Sequence, residues 1–293
     1  MGDETLSRLR AALTEQAGMD VVALRPADGG ESKSAFLVTD RAGTVSVLKI
    51  MPDPDADGPG QLSTLDEILT ELRRRGYPAP RLRAFGNTEG LLYWVQERLP
   101  GSSLDTREPG LVLQLLPELF RLNDAQAGLG TGKPGWRELI VRTLSVGGEG
   151  YCLHTTLSSA APELLRAVRR IGARHGDDIP DGRDYVHFDF SLANLLTDGA
   201  SITGVIDINP PALAGDRAFD LATLLFYSYD HDELRDRLWA RVLELTSRPA
   251  AGAYLAHMVL RQVEWSLRHY PDAAATRRHL RLAVLIIDDI GRK

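Results

Sequence analysis

The pattern of apolar residues changes after Pro100–Gly101, and this change constrains the fold more than any other feature of the chain. Before it, short apolar runs separated by Gly, Asp and Pro are typical of strands joined by turns, with two helical segments among them. After it, apolar residues recur mainly at helical spacing. The sequence therefore predicts an α+β fold with two lobes, one β-rich over residues 1–99 and one mostly helical over residues 100–293.

In the first lobe we expect an opening helix with Leu6, Leu9 and Leu13 on its apolar face, and a second helix from Leu62 to Arg75. Strands are predicted at residues 21–24, 34–39, 44–50, 81–86 and 91–96, with a loop at residues 51–60. In the second lobe, helices are predicted at residues 111–122, 162–175, 221–227, 234–246, 253–269 and 277–290, and short β-runs at residues 194–197 and 202–206.

Charge and composition argue against several classes of protein. The chain has 34 Lys and Arg against 40 Asp and Glu, a net charge of −6, which argues against a general nucleic-acid binder. Its one cysteine, Cys152, excludes an internal disulfide framework and favours a reducing cytoplasm. The N-terminal residues are unlike a signal peptide, and no apolar run approaches the roughly 20 residues of a membrane helix. We therefore expect a cytoplasmic protein that binds neither nucleic acid nor membrane.

The stretch YVHFDFSLAN, from Tyr185, places His187, Asp189 and Asn194 on one polar loop, and the run GVID ends shortly afterwards at Asp207. Phosphoryl transfer needs one carboxylate that orients the attacking hydroxyl, and an amide and a second carboxylate that hold Mg²⁺ against the phosphates. The spacing H-x-D-x-x-x-x-N followed by V-I-D is that of a kinase catalytic loop and its metal-binding aspartate. A hairpin between Asn194 and Asp207 would bring together two oxygen ligands of the kind that Mg²⁺ prefers.

Each of these residues also has a plain structural explanation. Asp and Asn are common turn formers, and a single His-x-Asp is most often structural. That explanation is weaker for the whole set, because an apolar β-run leads into Asp207 and a strand that contains a lysine lies upstream. We therefore interpret the loop as catalytic.

The upstream lysine is Lys49, in the run SVLKI. A lysine within an apolar run is poorly placed as a solubilising charge, although strand alternation also permits an outward-facing lysine on an edge strand. In a kinase it neutralises nucleotide phosphates and is held by a helix carboxylate. We choose Glu67, which neighbours the apolar face of the second helix. Glu71 can instead pair with Arg75 at i,i+4, and Asp66 is an alternative partner for the lysine.

A phosphate-covering turn is expected between the first two strands, in the sequence DGGESKS. Gly29 and Gly30 would let backbone N–H groups approach phosphate oxygens, and Ser32 or Ser34 could add a hydroxyl. The turn has no G-x-G-x-x-G, so by itself it is an ordinary hairpin loop. Its position upstream of Lys49 makes it a candidate nucleotide-binding segment.

With these residues in place, the sequence resembles the aminoglycoside phosphotransferase family, the antibiotic and small-molecule kinases with a protein-kinase-like fold. The resemblance covers nearly the whole chain. It is strongest in HFDFSLANLLTD and ITGVIDINPPALAGDRAFDLA, which are similar to the family's H-G-D-x-x-x-x-N and G-x-I-D-x…G-D-x-x-x-D-L-A pattern. The segments GYPAPRLRAFG and LLYWVQERLPG are similar to the family's helix exit and hinge.

The resemblance implies roles for individual residues around the nucleotide. Asp189 would be the catalytic base, and Asn194 and Asp207 the magnesium ligands. Lys49 would bind the ATP phosphates. Residues 1–99 would then form the nucleotide-binding lobe, and residues 100–293 would carry the catalytic loop and the acceptor site.

The same resemblance places the adenine edge against the backbone of Glu97 and Leu99. ATP is the expected donor, and GTP is an alternative because the hinge reads the base through its backbone, where Gln96 could influence the preference. Asp220 matches the structural aspartate of D-L-A, which we expect to brace the catalytic loop with His187 rather than to react.

Three positions depart from the family's pattern. Phe188 replaces the usual glycine of H-G-D, Asn123 stands where many members have a histidine, and Asn209 lies just after the metal-binding aspartate where an acidic or aromatic residue is frequent. None of them removes a catalytic group. Phe188 places a bulky ring beside the base, so we expect altered loop packing or substrate access.

Acceptor specificity is expected from the second lobe. A cationic drug needs several carboxylates that converge on one cleft, and Asp230, Asp232 and Glu264 could supply them, with Trp265 beside them. Alternatively, the run YDHDE caps a helix with an acidic first turn, and Trp265 lies in the core. The seven histidines show no H-x-x-x-H or H-E-x-x-H spacing, so no zinc site is predicted.

The sequence therefore predicts an ATP- and Mg²⁺-dependent phosphotransferase that phosphorylates a hydroxyl of a small molecule such as an antibiotic. A kinase of a metabolite, or of a peptide Ser or Thr side chain, is an alternative that no sequence feature separates from it. A third interpretation is a kinase-like module that binds nucleotide without catalysis, and the intact set Lys49, Asp189, Asn194 and Asp207 argues against it.

Overall fold

The computed structural model describes residues 3–27, 35–53, 57–105, 108–130, 135–148 and 152–292. Its strands are β1 (Val21–Pro26), β2 (Ala35–Asp40), β3 (Val45–Pro52), β4 (Leu82–Thr88), β5 (Leu91–Glu97), β6 (Ser102–Ser103), β7 (Asp184–Val186), β8 (Leu195–Thr197), β9 (Ile202–Val205) and β10 (Leu213–Gly215). Its helices are α1 (Asp3–Glu15), α2 (Gly58–Arg74), α3 (Pro109–Ala125), α4 (Trp136–Val146), α5 (Thr155–Ala160), α6 (Pro162–His175), α7 (Ala218–Tyr227), α8 (Asp232–Leu245), α9 (Arg248–His269) and α10 (Ala274–Arg292).

The chain forms two compact units. The first unit comprises Met1–Ser102, Leu196–Asp198 and Ile202–Ala212. The second unit comprises Ser103–Leu195, Gly199–Ser201 and Leu213–Lys293. The segment that carries Asp207 therefore belongs to the first unit, whereas the loop that carries Asp189 belongs to the second.

The first unit contains a five-stranded antiparallel sheet in the strand order β1-β2-β3-β5-β4. The turn between β2 and β3 is the predicted hairpin, in which Gly43 adopts φ +83° and donates its N–H to the carbonyl of Asp40 at 2.9 Å. A left-handed φ of this kind favours glycine. All five predicted strands of this region are present, and their ends differ from the predicted ones by at most two residues.

Helix α1 covers one face of this sheet. Leu9 is fully buried in a core with Val38, Leu48 and Val95, as the helical spacing of the N-terminal leucines predicts. Successive side chains of a strand point to opposite faces, so Lys49 lies on the face of β3 that is opposite to this core. The strand thus separates the apolar core from the predicted phosphate-binding lysine.

Helix α2 begins at Gly58, four residues before the predicted start at Leu62, so the predicted loop ends earlier than expected. Pro59 occupies the first turn, where a backbone N–H would have no intrahelical acceptor and its loss is tolerated. The N–H of Gly58 donates to the buried carboxylate of Asp53 at 3.2 Å. The Pro and Gly residues that indicated a loop therefore form the start of a helix.

Strands β8 and β9 lead to the segment that carries Asp207. They belong to a small sheet in the order β6-β8-β9. The N–H of Val205 donates to the carbonyl of Pro78 at 2.9 Å, which anchors β9 within the first unit. A Cβ atom on Gly204 would lie 3.0 Å from the side chain of Leu99, so the absence of a side chain permits this close approach.

The second unit is mostly helical, and α9 lies at its centre. This helix is buried along nearly its whole length and packs against α4, α5, α6, α7 and α10. Strands β7 and β10 form a short antiparallel pair at the start of the polar loop. Each helix predicted here is present, and the α+β fold class is confirmed. None of the helices in the described part of the chain combines the length and the apolar character that a membrane crossing requires.

Two helices of the second unit, α4 and α5, were not among the predicted elements. Glycines bound α4 on both sides, Gly135 with φ +98° and Gly147 with φ +95°. They mark the two ends of the helix. Helix α5 has six residues, too few for a repeating apolar face to appear in the sequence.

Candidate active site

The polar loop from His187 to Asn194 is held at its start by hydrogen bonds to Asp220 of α7. The Asp220 carboxylate is fully buried and accepts hydrogen bonds from the backbone N–H of His187 at 2.9 Å and of Phe188 at 3.0 Å. Gln126 Nε2 donates to the same carboxylate at 2.7 Å. Burial raises the pKa of Asp220, and these hydrogen bonds oppose that rise. Asp220 therefore occupies the position expected of a residue that braces the loop.

Phe188 adopts φ +71°, a left-handed conformation that residues with a Cβ rarely take. Glycine adopts it without strain, which explains why glycine suits this position. The Phe188 ring is stacked on Phe219 with centroids 5.1 Å apart, and it meets the edge of Trp136 at 6.4 Å. The ring is thus packed among interior aromatic side chains of the second unit.

Asp189 and Asn194 are in direct contact. Asn194 Nδ2 donates to the carbonyl and to Oδ2 of Asp189, both at 2.9 Å. One third of the Asp189 side chain remains exposed, so a hydroxyl group could reach the carboxylate. The loop therefore presents an oriented carboxylate next to an amide, as the sequence spacing predicts.

Arg261 of α9 is a third partner in this cluster, and sequence reasoning did not select it. Its Nη2 lies 3.2 Å from Asp189 Oδ1, and its Nη1 donates to the carbonyl of Phe188. A usable signal was present, because Arg261 lies in the apolar run HMVLRQV, just as Lys49 lies in an apolar strand. A charged residue inside an apolar run needs a buried partner, but the run does not say which one.

In the first unit, Lys49 forms an ion pair with Asp207 and donates a hydrogen bond to Asn209 Oδ1 at 2.9 Å. Only 11% of the Lys49 side chain is exposed, and its ammonium lies 5.9 Å from the centroid of the Trp94 ring. Asp207 has φ +62°, another left-handed residue that carries a side chain. Lys49 and Asp207 are thus brought together by the fold from distant parts of the sequence.

The predicted ion pair between Lys49 and Glu67 is absent from the structure, because Lys49 makes its charged contact with Asp207 instead. Glu67 lies on the exposed side of α2. Glu71 pairs with Arg74 and Arg75, whose hydrogen bonds lower its pKa to about 2. The i,i+4 alternative for Glu71 is therefore the arrangement that the structure shows.

Each unit carries one side chain whose donor chemistry suits a magnesium ion, Asn194 in the second unit and Asp207 in the first. The amide nitrogen of Asn194 is used by Asp189, and no hydrogen-bond donor among the described residues reaches its oxygen Oδ1. Asp207 offers a carboxylate whose charge is balanced by Lys49. The described residues contain no group of three or more His, Cys, Asp or Glu side chains that could hold a metal. Magnesium typically needs only one or two protein ligands because nucleotide phosphates complete its shell.

The remaining predicted nucleotide contacts are placed as follows. The N–H of Glu97, at the end of β5, donates to the carbonyl of Arg81 at 2.9 Å. Leu99 follows β5 and packs against Gly204. The predicted phosphate-covering residues lie outside the described residues; they are Gly29, Gly30, Ser32 and Ser34. The binding roles of all these residues stay predictions.

Two of the predicted acceptor carboxylates lie near the start of α8. Asp230 forms an ion pair with Arg278 at 2.7 Å. Asp232 is exposed in the first turn of α8 and pairs with Arg235 at 2.8 Å. Acidic residues in the first turn interact favourably with the helix dipole and stabilise the helix, which is the alternative to an acceptor-binding role. Each carboxylate thus has its own cationic partner within the second unit.

The third predicted acceptor carboxylate, Glu264, is buried in α9. It accepts hydrogen bonds from the backbone N–H groups of Thr156 at 2.9 Å and Leu157 at 2.6 Å, at the start of α5. Trp265 is partly buried and is stacked on His269 with centroids 4.8 Å apart. These internal contacts explain both residues and argue against the predicted convergence of carboxylates on one cleft.

The other two departures from the family's pattern also have structural partners. Asn123 is fully buried, and its Nδ2 donates to Gln126 Oε1 at 2.8 Å and to the carbonyl of Arg217 at 2.9 Å. Since Gln126 in turn donates to Asp220, Asn123 belongs to the support of the polar loop. Asn209 contacts Lys49, as described above.

Comparisons with known proteins show which family the chain resembles. Residues 23–256 match the phosphotransferase enzyme family. Hygromycin-B 4-O-kinase from Escherichia coli is 35% identical over 220 residues, which are 67% of this chain and 63% of that relative. The chain thus matches less than two thirds of the length of this relative.

Solved structures with the same fold include the aminoglycoside phosphotransferase APH(4)-Ia. The apo form of a thermostable mutant has a TM-score of 0.68 at 21% identity, covering 96% of this chain and 98% of that one. A ternary complex of that protein with ADP and hygromycin B has a TM-score of 0.67 at 22% identity, with the same coverage. APH(3'')-Id from Streptomyces rimosus, in complex with ADP and streptomycin, has a TM-score of 0.56 at 17% identity, covering 89% and 99%. The predicted family resemblance is confirmed: the chain belongs to the phosphotransferase enzyme family.

Proposed function

We propose that this protein is an ATP- and Mg²⁺-dependent phosphotransferase that phosphorylates a hydroxyl group of a small molecule, namely an aminoglycoside-type antibiotic. The observation that carries the proposal is the pairing of the four predicted residues, Lys49 with Asp207 and Asp189 with Asn194. Family membership supports phosphoryl transfer, and the relative that acts on hygromycin B supports the class of acceptor.

In this proposal Asp189 orients the acceptor hydroxyl and accepts its proton as the oxygen attacks the γ-phosphorus, while the bond from that phosphorus to the oxygen of the β-phosphate breaks and ADP leaves. The exposed third of its side chain is available for that contact. Lys49 neutralises charge on the nucleotide phosphates. Asn194 and Asp207 would hold the magnesium ion, which supplies further charge neutralisation on the phosphates when it is bound.

The remaining roles are proposals of the same kind. Residues 1–99 are proposed to bind the nucleotide, with the backbone of Glu97 and Leu99 at the base, and residues 100–293 to supply the acceptor site. ADP complexes of proteins with this fold support an adenine nucleotide as the donor. A nucleoside triphosphate donor and a single buried cysteine, Cys152, support a cytoplasmic location.

The test is phosphorylation of aminoglycosides by purified protein, followed as the mass gain of one phosphate on the acceptor. Replacement of the base, Asp189→Ala, should lower kcat by at least about 10³-fold, because proton transfer and hydroxyl orientation are lost together. Binding of a non-hydrolysable ATP analogue, measured by calorimetry, should be retained. Asp177→Ala, at an exposed aspartate after α6, is the matched control and should keep full activity.

Two results would refute the proposal. Transfer at the normal rate by Asp189→Ala would remove the assigned base. A wild-type protein that binds the ATP analogue but phosphorylates no antibiotic, metabolite or peptide acceptor would point to the non-catalytic module.

A further inference from the structure

Arg261 lies in the middle of α9 and is 5% exposed, although it carries a full positive charge. A buried guanidinium is costly unless charged or polar partners surround it. Its partners here are parts of the catalytic loop. It contacts the Asp189 carboxylate at 3.2 Å, donates to the carbonyl of Phe188, and has its Cζ 4.8 Å from the centroid of the Phe188 ring.

The two carboxylate oxygens of Asp189 are held by residues from two different elements of the second unit. Oδ2 accepts from Asn194, five residues further along the same loop. Oδ1 faces Arg261, which belongs to a different element. A carboxylate held at both oxygens keeps one rotamer, and the exposed part of the side chain then points in one direction.

Arg261 also restrains the residue before Asp189. Phe188 is in the left-handed conformation, which is sparsely populated for a residue with a side chain and persists only when its surroundings hold it. Its N–H is held by Asp220 and its carbonyl by Arg261. Its ring lies between the stacked Phe219 and the guanidinium. The peptide that leads into Asp189 is therefore fixed on both sides.

We propose that Arg261 is a positioning residue for phosphoryl transfer, acting through Asp189 and Phe188 rather than on the nucleotide or the acceptor. The inference rests on the proposed function, in which Asp189 is the base. The fork of the guanidinium lets one side chain hold the carboxylate and the preceding carbonyl together, which an ammonium group cannot do equally well.

The first experiment compares three arginine variants on α9. Arg261→Met keeps the aliphatic stem and should lower kcat by about 10²-fold, the effect typical of a misplaced catalytic group, while KM for ATP changes by less than about twofold. Arg261→Lys should have a kcat roughly tenfold higher than that of Arg261→Met, because lysine restores the charge but not the fork of the guanidinium. Arg248→Met is the matched control, since Arg248 lies over the Trp239 ring at 5.2 Å, and it should leave kcat unchanged.

The second experiment separates positioning from a purely structural role. In single-turnover reactions at high enzyme concentration, Asp189→Asn/Arg261→Met should be as slow as Asp189→Asn alone, because Arg261 acts through the carboxylate. Independent, multiplying effects of the two substitutions would overturn the proposal. Wild-type kcat in Arg261→Met, or an Arg261→Lys no faster than Arg261→Met, would also overturn it.

The outcomes distinguish this inference from the proposed function. If Asp189→Ala abolishes transfer and Arg261→Met does not lower kcat, only the positioning role fails. If Asp189→Ala still transfers phosphate, the proposed function itself fails. Circular dichroism of each variant reports whether it folds. If Arg261→Met does not fold, Arg261→Gln replaces it, and the same comparisons with Arg261→Lys are made.

Discussion

Two residues of the candidate site, Phe188 and Asp207, have left-handed backbone conformations although both carry side chains. Such conformations are strained and cluster at functional sites, because only surrounding contacts can maintain them. Asp220 and Arg261 hold Phe188, and Lys49 holds Asp207. At the scale of the residue, each unit therefore contains a strained position that an ion pair or hydrogen bonds stabilise.

The strain at Phe188 can be measured by comparing two truncations. Phe188→Ala and Phe188→Gly lose the same ring contacts, but only alanine keeps a Cβ in the left-handed conformation. We expect Phe188→Gly to be more stable than Phe188→Ala by about 0.5–1 kcal/mol, the reverse of the usual order. Urea unfolding followed by circular dichroism gives both free energies.

The control for this comparison is Ala193→Gly, in the exposed 3-10 turn of the same loop. There glycine should be the less stable residue by up to about 1 kcal/mol, because it only adds freedom to the unfolded chain. If alanine were also more stable than glycine at position 188, as expected at position 193, no backbone strain would be present at position 188.

At the scale of the element, α9 connects the polar loop from His187 to Asn194 with α5. Arg261 contacts the loop, and Glu264, three residues later, accepts the N–H groups of Thr156 and Leu157. Burial by itself raises the pKa of Glu264, but hydrogen bonds from these N–H groups and from Arg268 outweigh it and lower the pKa. One buried helix thus satisfies polar groups on two neighbouring segments.

The cap of α5 by Glu264 should be a large contribution to stability. Glu264→Ala removes the acceptor of the buried N–H of Leu157 and of the partly buried N–H of Thr156, and one ion-pair partner of Arg268, so we expect the free energy of unfolding to fall by about 3 kcal/mol. Chemical denaturation measures it. Glu163→Ala, at an exposed ion pair in the first turn of α6, is the control and should cost less than about 0.5 kcal/mol. Equal losses in the two variants would contradict the capping role.

At the scale of the whole molecule, buried histidines set part of the dependence of stability on pH. Burial, together with the nearby charge of Arg261, lowers the pKa of His257 to about 3. Burial and Arg278 lower the pKa of His279 to about 4. Since a folded-state pKa below the unfolded value disfavours the protonated form, these rings stabilise the fold fully only above about pH 6.5.

Acidification below about pH 6.5 should therefore destabilise the protein. Each of the two histidines is expected to remove about 1.4 kcal/mol of unfolding free energy per pH unit below about pH 6.5, down to its own folded-state pKa. His257→Leu should reduce the slope between pH 6.5 and pH 5 by that amount, measured by urea unfolding at each pH. His269→Gln, which removes an exposed imidazole, is the control. An unchanged slope in His257→Leu would show that this ring is not protonated on unfolding.

Much of this protein was predictable from local patterns in the chain. Some features depend only on residues that are near one another in the chain, so they can be predicted from the sequence. They are the strand and helix periods, the hairpin at Gly43 and the spacing from His187 to Asp207. They were sufficient for the α+β class, the family and the loop that carries Asp189. They were insufficient where Gly and Pro begin a helix, as at Gly58, because the same residues also form loops.

Tertiary structure decided which charged groups meet. Lys49 pairs with Asp207 rather than Glu67, Glu264 caps α5, and Arg261 reaches Asp189. The partner of a buried charge depends on which distant segments pack together, since an apolar run shows only that a partner is needed. The order of residues along the chain determined the elements and the motif. Long-range packing in each unit determined which partners orient the predicted reactive groups.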